Sequence, residues 1–163
     1  MELVASEQAV DQAALLLKAF RQRSRQVIHV QHIATHDGAT YFLAGTRGMD
    51  IHPSVRPASN ECVVQKNFPN AFRETRLLEA LRSQKATHLV FAGMMTHMCV
   101  DTTIRAASDL GFECSLALDG CATTHLTFGG RTVDAKDVQA AYLSALADGF
   151  ATLETAEGLC TGL

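Results

Sequence analysis

The stretch THLVFAGMMTHMCVDTTIRAASDLGFECSLALD, residues 87–119, decides the fold. It opens with an apolar run, residues 87–93, that ends on Gly93, as in a strand buried on both faces of a parallel sheet. Val100, Ile104, Ala107 and Leu110 then recur at helical spacing, and Gly111 stands where a helix stops. ECSLALD (113–119) reads as a second strand. A strand, a helix and another strand in so short a span form a parallel crossover unit.

The flanking segments repeat this alternation. AVDQAALLLKAF (9–20) places Val10, Ala13, Leu17 and Phe20 on one helical face, and QVIHVQH (26–32) predicts a strand. CVVQK (62–66) is a short strand, and Leu77, Leu78 and Leu81 mark a helix. Val138, Ala141, Tyr142 and Ala145 mark a last long helix, with ATLET (151–155) as a final strand. The expectation is a three-layer α/β/α fold with a mostly parallel, Rossmann-like sheet, forming one domain over residues 1–163. Between Ile33 and about Asn60 no period is evident, and a loop of that length in a compact domain is usually functional or disordered.

Composition narrows the function. A chain of 163 residues with 47% hydrophobic and 19% charged residues holds one sizeable core. Net charge is −3 and the basic residues form no run, so nucleic acid is not an expected partner. No apolar stretch is long enough to span a membrane, and no signal peptide is evident. The five cysteines, Cys62, Cys99, Cys114, Cys121 and Cys160, are odd in number and form no CxxC pair, which suits free thiols in a reducing cytoplasm. Neither GxGxxG nor GxxxxGK[ST] occurs, which weakens a nucleotide-binding reading; TFGGRT (127–132) is short and follows no predicted strand.

In open α/β sheets, ligands bind at the carboxyl ends of the strands. Lys66 ends one predicted strand, and Cys99 begins the helix after another. A cysteine in a helix's first turn meets the positive end of the macrodipole and unpaired N–H groups, which favour the nucleophilic thiolate. Such N–H groups also stabilise an oxyanion in acyl transfer. The competing reading is a small buried hydrophobe, since free cysteine is commonly buried. Cys62, Cys114 and Cys160 take that packing role here; for Cys121, just past a predicted strand end, lining the same cleft stays open as an alternative to packing.

GMMTHMCVDTTIRAASDLGFECSLALDGCA (93–122) resembles the signature of the isochorismatase-like cysteine hydrolases, a nicotinamidase-related superfamily. Gly93, Thr96, Cys99, Val100, Thr103, Arg105, Ala107 and Gly111 match it in order, and VVQKNFPNAF (63–72) resembles the family's strand-ending lysine segment. IHPSVRP (51–57) and QVIHVQH (26–32) fall in matching order. The resemblance implies hydrolysis of an amide or related C–N bond by an Asp–Lys–Cys triad, with Cys99 the nucleophile and Lys66 its cation. Vinyl-ether cleavage ranks below this, because some members perform it without the cysteine. The resemblance also implies a cis peptide joining Met94 to Met95, and an oxyanion site formed by the N–H groups of Met95 and Cys99. No cofactor is implied; the partners are a small-molecule substrate and further copies of the chain in a homo-oligomer.

One departure stands out. Family members open on a strand of the form L-L-V-I-D-x-Q-x-D-F whose Asp is the general base, and MELV (1–4) resembles the segment after that strand. Asp11, Asp50 and Asp101 do not match the missing position. Three expectations stay open: Met1 is internal to a longer reading frame, the protein is a shortened and catalytically impaired relative, or His36 or His97 replaces the base. The impaired form would serve as a small-molecule-binding or assembly protein.

The remaining candidates are pocket residues. Phe42, Phe68, Asn70 (where the family usually has Ser), Phe72, His97 and His125 are placed to shape a substrate site. His32 and His36 are four apart but run from strand into loop, so no metal site is expected. His29 reads as a core histidine, and His88 as a junction residue.

Overall fold

A computed structural model of the chain describes residues 3–163, so Met1 and Glu2 of the MELV segment lie outside the described residues. In chain order the elements are α1 (Ser6–Gln22), β1 (Ile28–His32), β2 (Cys62–Lys66), α2 (Leu77–Ser83) and β3 (His88–Met94). Then follow α3 (Asp101–Asp109), β4 (Glu113–Ala122), β5 (Leu126–Phe128), β6 (Arg131–Val133), α4 (Ala135–Ala147), β7 (Thr152–Glu154) and α5 (Ala156–Thr161). The expected α/β alternation is present, and all the long ladders are parallel.

The layering follows from strand periodicity at β4. Leu116 and Ala117, both fully buried, are consecutive and therefore point to opposite faces. Leu116 packs with Ile104 and Ala107 of α3 and Leu146 of α4. Ala117 packs with Leu16 of α1 and Ala156 of α5. On α4 the buried positions are Ala135, Val138 and Leu146, whereas the expected Ala141 and Ala145 are exposed. Leu110 is likewise exposed, lying one residue past α3 beside Gly111, whose φ of +88° turns the chain out of the helix.

The sheet differs from the expected single surface. The ladders fall into two parallel pieces, β1–β2 and β3–β4–β7, and among the described residues no ladder joins β1 to β3. Between these edges runs a slot, seen as two cavities of about 660 and 490 Å³ that share Ile28, Val30, Val90, Ala92, Lys66 and Cys99. The predicted face of α1 looks onto it: Val10, Ala13, Leu17 and Phe20 all line the second cavity. That face is therefore only partly covered, and the better-buried residues of α1 are Ala9, Leu16, Leu17 and Ala19.

Two local features were not expected. β4 continues through Cys121 and Ala122 by bulging: Phe91 pairs with Leu116 but Gly93 with Cys121. Gly120 sits in that bulge because a Cβ there would come within 3.0 Å of the Ala117 Cβ. TFGGRT, read as an isolated short segment, instead forms the β5–β6 hairpin. Gly129 and Gly130, with φ of +58° and +75°, make its two-residue turn and leave Phe128 exposed at the tip.

Candidate active site

β2 and β3 deliver their chemistry at their carboxyl ends. Lys66 is the last residue of β2, and beyond β3 a π-helical turn, Thr96–Val100, runs directly into α3. Cys99 thus lies in a wide turn two residues ahead of α3, rather than in the first turn of a regular helix as expected. The Met94–Met95 peptide is cis. The Thr96 hydroxyl, fully buried, donates to the Ala122 carbonyl at 3.2 Å and ties the turn to the end of β4.

Lys66 is only 4% exposed, so its ammonium must find acceptors within the protein. It finds three: the Cys99 Sγ at 3.1 Å, the Phe68 carbonyl at 2.8 Å and the His32 Nδ1 at 2.9 Å. An ammonium has three hydrogens, so each has an acceptor, and among the described residues no carboxylate is a partner. His32 is held below its ordinary pKa by burial and by the neighbouring Lys66 and His36.

The segment after β2 is fixed from α3. The Thr103 hydroxyl accepts the Ala71 N–H at 3.1 Å and donates to the Pro69 carbonyl at 3.3 Å. Arg105 pairs with Asp101 at 2.9 Å and lies over the Phe150 ring at 4.4 Å. Of the sequence signature, Thr103 therefore ties α3 to the segment after Lys66, Thr96 ties the cysteine turn to β4, and Arg105 braces α3 through Asp101 and Phe150.

The remaining candidates divide by location. Met94, Met95, Phe42 and Phe72 line one or both cavities beside Lys66 and Cys99. Phe42, with φ of +57°, packs its ring 5.2 Å from that of His32. Phe72 is also core, stacked on Phe112 with centroids 6.3 Å apart. Phe68, Asn70, His97 and His125 line neither cavity. The Phe68 ring lies under the Arg73 guanidinium, and the Asn70 Oδ1 accepts the Phe72 N–H in a local turn. His97 bonds the Thr123 hydroxyl at 2.5 Å, packs edge-on to Tyr142, and has its pKa lowered by burial. His125 caps the base of the hairpin, facing the Ala135 N–H and Asp134.

Three other residues need correction or addition. Of the two readings open for Cys121, the structure shows packing: it lies inside β4 with its thiol pushed up to about 12 by burial, and it lines neither cavity. Asp50 lines the second cavity although it does not match the position of the family's general base. His32 was considered only as half of a metal pair; the signal that finds it is strand register, since His32 and Lys66 are Cα partners on the last rung of β1–β2.

The chain was compared with known proteins. The isochorismatase domain model matches residues 2–158. The isochorismatase family protein YddQ of Bacillus subtilis is 41% identical over 157 residues, covering 96% of this chain and 87% of that protein. Nicotinamidase 3 of Arabidopsis thaliana is 34% identical over 91 residues, 56% of this chain and 41% of that one. The crystal structure of an Oleispira antarctica protein of the isochorismatase-hydrolase type superposes with a TM-score of 0.93 at 46% identity, over 98% of this chain and 84% of that one. The domain match runs through the β2, β3 and α3 segments that build the site, and the chain belongs to the isochorismatase family of hydrolases.

Proposed function

We propose that the protein hydrolyses an amide or related C–N bond of a small carbonyl compound through a thioester on Cys99. The Cys99 thiolate adds to the carbonyl carbon, the C–N bond breaks, and the nitrogen leaves with a proton. Water then attacks the thioester, releasing the acid and restoring the thiol. Lys66 holds the thiolate, and the N–H groups of Met95 and Cys99 receive the developing oxyanion. The observation that carries this reading is the buried Lys66 ammonium donating to Cys99 at 3.1 Å. The amidase named among the relatives, nicotinamidase, supports the bond class.

The proton-handling Asp comes from the family resemblance, which places it on a strand of the L-x-I-D-x-Q kind. The slot between β1 and β3 has two unpaired parallel edges and opens onto Cys99, so it fits such a strand. The same reading takes the enzyme as a cytoplasmic homo-oligomer, on its free thiols and its resemblance respectively.

A second reading rests on one observation: among the described residues no carboxylate is bonded to Lys66. It is a binding or assembly protein that keeps the nucleophile without the base. Ammonia release from a panel of primary amides, with Cys99→Ala as control, separates the two. Release that Cys99→Ala abolishes supports hydrolysis. Rapid alkylation of Cys99 with no turnover supports the second reading, and turnover that survives Cys99→Ala overturns the thioester mechanism.

A further inference from the structure

We infer that His32 is a positioning residue that aims Lys66 at Cys99, its neutral Nδ1 serving as the third acceptor of the buried ammonium. The inference extends the proposed role of Cys99, but its test does not depend on turnover.

Donor counting drives it. The lysine ammonium is a donor only, so a ring nitrogen 2.9 Å away must present its lone pair. That requires the tautomer with hydrogen on Nε2 and forbids the imidazolium, which has no lone pair and would repel Lys66. At 4% exposed, Lys66 has little access to a water acceptor. The geometry is built in at the backbone: His32 and Lys66 are register partners, so their side chains share one face of the β1–β2 ladder. The Phe42 ring, 5.2 Å away, packs against the imidazole from the loop after β1.

The charged and titratable groups acting on His32 are Lys66 from β2 and His36 from the loop after β1, with the Cys99 thiol beyond Lys66. Lys66 and His36 both disfavour a positive charge on His32. With no acceptor at this position, the ammonium swings off the Cys99 axis and the thiolate loses its cation. His32→Leu removes the acceptor. His32→Asn restores one, because the Asn Oδ1 occupies nearly the place of the His Nδ1.

The test measures the rate of Cys99 alkylation by iodoacetamide against pH, read by peptide mapping, in the wild type and both variants. His32→Leu is expected to slow alkylation about tenfold near neutrality, equivalent to moving the profile up about one pH unit. His32→Asn is expected to recover most of the rate. Equal profiles for wild type and His32→Leu overturn the inference, as does a loss in His32→Asn as large as that in His32→Leu. Nitrogen NMR of the wild type gives a second readout. A neutral His32 protonated at Nε2 near pH 7 is required; the Nδ1–H tautomer or an imidazolium overturns the proposal even if Cys99 proves unreactive.

Discussion

Lys66 and Cys99 meet at 3.1 Å although they ride on different pieces of the sheet, the first on β1–β2 and the second on the turn after β3. The contact spans the seam between two substructures that share no backbone ladder among the described residues. Its length depends on the residues that brace the seam, and those residues yield the first tests.

Replacing Lys66 by Met keeps the stem and removes the charge. Cys99 alkylation is expected to slow by about tenfold or more near pH 7, since an adjacent cation favours the thiolate. Iodoacetamide kinetics on the folded protein check this, and an unchanged rate would detach Lys66 from the chemistry.

The five thiols should label in an order set by their surroundings. Cys114 and Cys121 have thiols pushed up by burial to about 11 and 12, so neither should react while the protein is folded near pH 8. Cys99 should react first, ahead of exposed Cys62, which has no such lysine contact. Time-resolved peptide mapping reads the order; modification of Cys121 as fast as Cys99 contradicts it.

Thr103 should matter for stability through two hydrogen bonds rather than through catalysis. Thr103→Val leaves the buried Ala71 N–H without its acceptor and should cost about 1–2 kcal/mol in urea unfolding. Thr103→Ser keeps the hydroxyl and should restore most of that.

Glu61 locks α1 and β1 onto the loop before β2. It accepts from Arg21 at 2.7 Å, from the Ala58 N–H at 2.8 Å, and faces His29 Nε2 at 2.7 Å. The Arg21 guanidinium, helped by the Ala58 N–H and His29, holds its carboxyl well below the ordinary 4.5. Because the folded value is the lower one, this stabilisation is present above the unfolded value and fades as pH falls towards the folded one. Glu61→Gln should therefore lose about 2 kcal/mol at neutral pH, with the difference from wild type shrinking below about pH 4. A gap that stays constant down to low pH would show that charge is not its cause.

The unit around Cys99 was legible because its signals are local: an apolar run, a helical period and a glycine stop, all within one crossover. Site residues linked through register were not. His32 carries no periodic signal, and its partner Lys66 is thirty-four positions away. The hairpin escaped because its strands are three residues each, too short to show alternation, although Gly129–Gly130 is a turn signal. The slot escaped for a related reason: a strand's own pattern says it will be paired, not which edge will pair with it. The candidates His97 and His125 were placed by nearness in sequence to the cleft, but hydrogen bonds to Thr123 and to the start of α4 hold them elsewhere.

The interrupted sheet also has a consequence for cooperativity. Proteins open in units whose limits follow their contacts, and the β1–β2 pair reaches only a small cluster of Val64, Ala71, Leu77 and Leu81, which joins the larger core through Phe72, Leu89 and Phe112. Its amides should therefore exchange with solvent at lower free-energy cost than those of β3–β4, whose flanking cores meet at Leu116 and Ala117. Each opening of that unit carries Lys66 away from Cys99. The nucleophile would then report, through its own reactivity, how often half of the domain comes loose.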